Sequence, residues 1–233
     1  MKAGVGPVVR LTPASTVFLL CDVQERFRDI IWHMPSVIAT SRLLLAVARE
    51  LAVPVVATEQ YSKVFGPTVA ELALDDAVAA GRAARFEKRR FSMLTPDVSA
   101  ALDPARASAV VFGVEAHVCV QQTCLDLLER GVDVTVVADG AATLLARVGD
   151  DAEAPALSSL TGCSSQRPLD RMVALRRLQA AGAVVSTAEA VIFELLRTSD
   201  SADQPAFKPC SALLKARNDG LDAAAQGELL AAT

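Results

Sequence analysis

The stretch from Gly113 to Gly140, GVEAHVCVQQTCLDLLERGVDVTVVADG, decides how this chain is to be read. It opens on the end of an apolar strand, makes a sharp connection into a helix, and closes on a second apolar strand. Within the helix, Val120, Cys124, Leu127 and Leu128 recur at i, i+4, i+7 and i+8, the spacing of one buried face. Cys119 lies outside that stripe. Its helical neighbours at i+3, i+4 and i+7 are Gln122, Thr123 and Asp126. A cysteine serving only as core filler belongs on the apolar face, so Cys119 asks for another explanation.

Outward from this stretch the pattern repeats. Thr16–Asp22, Val53–Ala57, Ala109–Val114, Val132–Ala138 and Ala183–Ser186 are short apolar runs rich in β-branched residues, and Ala83–Lys88 is a weaker sixth. Continuous rather than alternating hydrophobicity fits strands buried on both faces of a parallel sheet. Helical stretches lie between: Val37–Leu51, Val118–Arg130 ending at Gly131, and Pro168–Ala181 stopping at Gly182. The alternation predicts a three-layer α/β/α, doubly wound, mainly parallel six-stranded sheet with right-handed crossovers. Ligands of such sheets sit at the carboxyl ends of the strands, near the switch in strand order. The loops after Asp22, Lys88 and Val114 all open on that edge.

Residues 1–198 read as one domain, with a small-residue-rich insertion at 143–167 that has little periodicity. Residues 199–233 read as a tail holding a short helix, Phe207–Arg217. No internal repeat is visible.

Composition bounds the function. The chain has 233 residues, 52% of them hydrophobic, and a formal net charge of −4, which argues against a nucleic-acid surface built from clustered positive charge. No apolar run approaches the roughly 18–20 residues that span a bilayer. The first fifteen residues have no apolar segment of a secretory signal, while leaving room for a very short organelle signal. Five cysteines without a CxxC pair and only two histidines fit neither a zinc cluster nor a disulfide framework. A reducing compartment is the expectation, the cytoplasm first and the mitochondrion second.

Three residues then stand out. Asp22 ends the first strand, where a turn cap is the ordinary reading. Lys88 ends the weak strand within FEKRRFSM, where a solvated charge run is the ordinary reading. Cys119 alone reads as a structural thiol.

Together with their surroundings they carry more. LLCDVQERF, VVATEQYSKVFGPTVAEL, FEKRRFSM, VVFGVEAHVCVQQTCLDLLERG and VVSTAEAVIFELL, in this order, resemble the isochorismatase-like cysteine hydrolases, and among them the isochorismatase domain-containing proteins of eukaryotes. The resemblance runs over roughly residues 17–197. It implies a catalytic triad on Asp22, Lys88 and Cys119, and an oxyanion hole of the backbone N–H groups of Glu115 and Cys119. It also implies a cis peptide at Val114–Glu115. The chemistry is coherent without the name: a helix N-terminus and a lysine favour a thiolate, and a carboxylate takes the thiol proton and later activates water. A Cys119–His117 dyad is the weaker competitor, because residues two apart on a helix point to different sides.

The resemblance also has limits. Metal-dependent nicotinamidases of the superfamily carry an Asp-x-His motif after the second strand. Here that stretch reads Thr58-Glu59-Gln60-Tyr61-Ser62, so neither a metal nor another cofactor is expected. Isochorismatases proper lack the cysteine, which turns the expectation from a vinyl ether toward an acyl bond. Gln24, Phe27, Tyr61 and Phe91 lie near the same edge and are candidates to line a pocket, with core packing the plainer role for the two phenylalanines. The expected partners are a small-molecule substrate, an amide or ester, and further copies of the chain. A binding or regulatory protein with little turnover is the alternative class; a ribonuclease, a label some relatives carry, is less favoured.

Overall fold

The computed structural model describes residues 10–139 and 162–231, with side chains as far as residue 220. Strands β1 (Thr16–Cys21), β2 (Val55–Gln60) and β4 (Ser108–Val114) are buried at every position, as their unbroken hydrophobicity requires. Strand β3 (Ala83–Lys88) is partly exposed at all but its last residue, and β7 (Val184–Ser186) at all three. Both lie on the sheet edges, which is why β3 is faint in the sequence. The order is β3-β2-β1-β4-β5-β7, with β5 at Asp133–Val137, and all pairings are parallel. A two-residue strand, β6 (Cys163–Ser164), pairs with Gly113–Val114 of β4 just past the point where β5 stops pairing. It is the one strand added to the six expected.

Helices cover both faces. α1 (Met34–Glu50) packs with α7 (Ala188–Leu196) and α8 (Phe207–Ala231) on one side. On the other, α5 (Gln121–Glu129) packs with α6 (Pro168–Ala180). Short helices α2 (Ser62–Phe65), α3 (Leu74–Ala79) and α4 (Pro96–Ala101) complete the connections. α1 begins three residues before the expected Val37, because Pro35 supplies a first-turn residue that needs no amide partner.

The tail differs most from the expected short helix. α8 is 25 residues long and lies against α1. Cys210 and Leu214 are buried there. Arg217 reaches inward to the Asp139 carboxylate at 2.5 Å, the pair only 6% and 4% exposed. The same carboxylate accepts the Ala188 amide that opens α7. One buried acid just past β5 therefore joins three elements. Of the insertion expected at 143–167, only residues 162–167 fall within the described residues. Among the described residues no helix is long and apolar enough to cross a membrane.

Candidate active site

The chain runs from β1 outward to β2 and β3, then returns to place β4 on the other side of β1. The switch point lies between β1 and β4, and the carboxyl ends of these two strands carry Asp22 and the turn leading to Cys119. Gly113 makes their close approach workable. It pairs with Cys21 at φ +120, and a Cβ there would lie 2.1 Å from the Cys21 carbonyl oxygen. No side chain fits that space.

Asp22 leaves the strand in the left-handed region, with φ 50. That breaks the alternation of an extended chain and brings its carboxylate to the same side as the preceding thiol: Cys21 Sγ donates to Asp22 Oδ2 at 3.6 Å. The Thr58 hydroxyl donates to Oδ1 at 2.7 Å and Lys88 Nζ to Oδ2 at 2.7 Å. Lys88 starts two strands away, a separation of about 9.5 Å at ordinary strand spacing. Its side chain crosses over the end of β2, where Gln60 sits in register with it and accepts from Nζ at 2.6 Å. The carbonyls of Arg90 and Phe91 accept from Nζ at 3.2 and 2.9 Å.

Cys119 does not sit on a regular helix. Ala116–Val120 form a π-helical turn ahead of α5, and Val114–Glu115 is a cis peptide. The wider turn puts Cys119 out of phase with α5. Val120, Cys124 and Leu127 are buried as the sequence pattern requires, with Leu128 partly so. Cys119 is also enclosed, 7% exposed, although its sequence neighbours at i+3 and i+7 are not. Its carbonyl accepts from the Thr123 hydroxyl at 2.6 Å, and that hydroxyl accepts the Met93 amide. Cys119 Sγ, Cys21 Sγ and an Asp22 carboxylate oxygen all lie within 4.8 Å of one another.

The electrostatics follow from burial. Asp22 is raised above the usual carboxylate range because burial opposes its charge; Lys88 and the hydrogen bonds from Lys88, Thr58 and Cys119 pull the other way and do not cancel it. Burial pulls Lys88 down, but its interactions with Cys21, Asp22 and Cys119 outweigh it and leave the ammonium raised. A simple surface pair would lower the acid. Here the acid is 1% exposed, so desolvation sets its direction. Burial likewise pushes the Cys21 thiol well up.

The remaining expected residues fall as follows. Gln24 is fully buried, and its amide is committed to backbone: Oε1 accepts the Gln60 amide at 2.7 Å, and Nε2 donates to the Gln60 and Gly66 carbonyls. Phe27 is buried and stacks on Phe65 at 4.9 Å. Tyr61 is partly buried beneath the Arg89 guanidinium, 3.9 Å from its ring centre. Phe91 is 52% exposed, beside the end of β3. The Glu115 carboxylate accepts from Gln166. His117 shares a hydrogen bond with Ser165 Oγ at 3.0 Å.

Sequence reading passed over Thr58, Gln60 and Cys21, whose side chains all meet the Asp22–Lys88 pair or its ligands. The signal was available: β2 ends on three consecutive polar residues, Thr58, Glu59 and Gln60, all buried. Polar groups closing a fully buried strand need partners. Glu59 finds Thr68, accepting both its amide and its hydroxyl at 2.8 Å.

For a metal, the one cluster of ligating groups among the described residues is Cys21, Asp22 and Cys119. The Lys88 ammonium already occupies one oxygen of that acid, so a divalent cation would meet a fixed positive charge.

Residues 16–190 match the isochorismatase domain as a protein family. The chain belongs to that family. Isochorismatase domain-containing protein 1 of Danio rerio is 39% identical over 207 residues, covering 88% of this chain; the chain spans 62% of that relative's length. The solved structure of the MAR1 ribonuclease from Caenorhabditis elegans superposes with a TM-score of 0.72 at 35% identity, covering 88% of this chain and 92% of that one. The YcaC gene product of Escherichia coli, described as an octameric hydrolase of unknown specificity, shares the fold: TM-score 0.72 at 21% identity, over 95% and 97% of the two chains. The family is thus isochorismatase-like, on a parallel α/β sheet flanked by helices.

Proposed function

We propose that this isochorismatase-family chain is a cysteine hydrolase that cleaves a small amide or ester through a thioester on Cys119. The observation that carries the reading is the convergence of a buried Asp22–Lys88 pair and the Cys119 thiol on the switch point of the sheet.

In this reading Asp22 takes the Cys119 proton, and the start of α5 with Lys88 favours the thiolate. The thiolate attacks the carbonyl carbon, a C–S bond forms, and the carbonyl electron pair moves onto oxygen. Backbone N–H groups of Glu115 and Cys119 receive that charge. Asp22 returns the proton to the leaving nitrogen or oxygen as its bond to carbon breaks. Water then attacks the thioester with Asp22 as base, and the C–S bond breaks. A raised Asp22 suits both directions of transfer, since its proton affinity is moved toward that of a thiol. Lys88 stays charged throughout. Tyr61 and Phe91 stand at the rim as substrate contacts, while Gln24 and Phe27 support the site from behind.

A panel of small amides and esters, with Cys119→Ala as control, tests the reading. Turnover abolished in the variant, with acyl-enzyme mass on Cys119, is the expected result. Binding without turnover in either protein would favour a regulatory role. RNA cleavage that survives Cys119→Ala would move the reading toward the activity named for the Caenorhabditis relative.

Self-association fits the surface. Leu169 and Val173, one turn apart on α6, are 62% and 55% exposed, and Phe193 on α7 is 42% exposed. A monomer in sedimentation at micromolar concentration would refute it. No disulfide links the cysteines of the described residues, which suits a reducing cytoplasmic or mitochondrial setting; cell fractionation tests this.

A further inference from the structure

We propose that Cys21 and Cys119 form a hydroperoxide-sensitive dithiol pair, in which Cys21 resolves oxidised Cys119 into a reversible disulfide across the switch point. The proposal rests on the reading of Cys119 as an ionisable nucleophile, and it gives Cys21 a role that the hydrolytic reaction does not require.

Cys21 is the last residue of β1 and fully buried. An apolar residue would fill that position equally well by volume. Two observations set it apart from a filler. Its thiol donates to the same oxygen of Asp22 that Lys88 holds, and a carboxylate oxygen of Asp22 lies within 4.8 Å of both sulfurs. Its sulfur also lies within 4.8 Å of Cys119 Sγ. A disulfide requires the sulfurs to close to about 2.05 Å, so each sulfur has to move toward the other from the separation of at most 4.8 Å. Cys119 is the entry point: it keeps a slight exposure of 7%, while Cys21 has none. The confined access favours hydrogen peroxide over bulky disulfide oxidants.

The chemistry balances. The Cys119 thiolate attacks one oxygen of hydrogen peroxide; an S–O bond forms, the O–O bond breaks, and the departing hydroxide takes a proton from Asp22 to become water. Cys119 is now a sulfenic acid. Cys21 gives its proton to Asp22, its sulfur attacks Cys119 Sγ, and the S–O bond breaks. The second hydroxide collects that proton as water. Two thiols and one peroxide yield one disulfide and two waters, each sulfur having lost one electron and each peroxide oxygen having gained one. Burial of Cys21, which pushes its thiol up, keeps it protonated until the sulfenic acid forms beside it.

The disulfide removes the nucleophile and blocks further oxidation to the irreversible sulfinic acid. The molecule carries an internal control. Cys124 and Cys163 are also buried and electrostatic neighbours, but neither has exposure through which peroxide could enter.

The test treats the full chain with a small excess of hydrogen peroxide, then reads thiols under denaturing conditions and peptides under non-reducing digestion. The expected result is a fall from five titratable thiols to three, a Cys21–Cys119 linked peptide, and full recovery with dithiothreitol. In Cys21→Ser, and in Cys21→Ala if the first misfolds, Cys119 should advance to sulfinic acid and not recover. Sulfinic Cys119 in the wild type with Cys21 still reduced would overturn the pair, as would a linked Cys124–Cys163 peptide in its place. Alkylation of a second, peroxide-free sample with iodoacetamide separates the two readings. Rapid alkylation of Cys119 without disulfide formation defeats the pair alone; a Cys119 inert to both reagents defeats the pair together with the nucleophile it rests on.

Discussion

Replacing Lys88 with methionine keeps most of the side-chain volume and removes the charge that faces Asp22. The wild-type ammonium is fully enclosed, with four oxygen acceptors between 2.6 and 3.2 Å. Breaking a buried pair from one side typically costs about 3–5 kcal/mol, because the other charge remains without its partner. Here the remaining acid has an escape: it can take a proton. Burial already raises Asp22 in the wild type, and Lys88 is the largest influence opposing that rise, so the variant's Asp22 must rise further. A carboxyl raised in the folded state stabilises the fold fully below its unfolded value, about pH 4, and that contribution is lost as pH climbs through the folded value. Lys88 itself is charged over this whole range, its own value lying above the ordinary lysine range. The deficit of Lys88→Met should therefore be small near pH 4.5 and reach about 3–5 kcal/mol near pH 8. Urea denaturation at several pH values reads it, with Asp22→Asn/Lys88→Met to close the cycle; the double variant should lose the pH dependence. A deficit under about 1 kcal/mol at pH 8, or one equal at both ends, would refute the buried-pair reasoning.

Further outcomes follow from single contacts. Gly113→Ala should cost several kcal/mol and abolish soluble expression, because its Cβ would meet the Cys21 carbonyl at 2.1 Å; normal melting would refute the close approach. Arg217→Met should free α8 from Asp139, seen as faster amide exchange in residues 207–218; unchanged protection would show that helix packing alone holds α8. Hydrolytic activity should survive exhaustive chelation, since Lys88 already occupies the acid that a metal would need; loss on chelation, restored by one divalent ion, would count against that. Iodoacetamide should label Cys119 before the four other cysteines, which are all 0% exposed, and Lys88→Met should slow it; equal labelling of Cys119 and Cys124 would contradict the site.

The sheet was legible where burial is symmetric. β1, β2 and β4 are covered on both faces, so every residue reports the same environment and the apolar run is unbroken. At the edges the signal fades for the same reason. β3 faces solvent along much of its length, and β6 has two residues, too few for any period. The tail misled differently. A short amphipathic patch around Phe207–Arg217 is visible, but the Ala-rich residues that extend the helix to Ala231 carry no stripe to read. The inward turn of Arg217 depends on an acid 78 residues away.

At the site, the sequence exposed charge and reactivity, and concealed geometry. Cys119 attracts notice because it breaks a 3.6-residue pattern, yet that pattern does not apply to it: the π-helical turn adds a residue and rotates the thiol toward the end of β1. The anomaly was informative for a reason that the helical reading did not contain. Gln24 shows the converse. A buried glutamine two residues past an acid looks like a substrate contact, but its three hydrogen bonds run to the backbone of Gln60 and Gly66. It fixes the strand end from which Gln60 holds Lys88. The chain of dependence runs from Gln24 to Gln60, to Lys88, to Asp22, and then to two thiols. Apart from the step from Asp22 to the adjacent Cys21, each link joins residues far apart in sequence, so no local pattern could have revealed it, whereas three polar residues closing a buried strand could have marked where it passes.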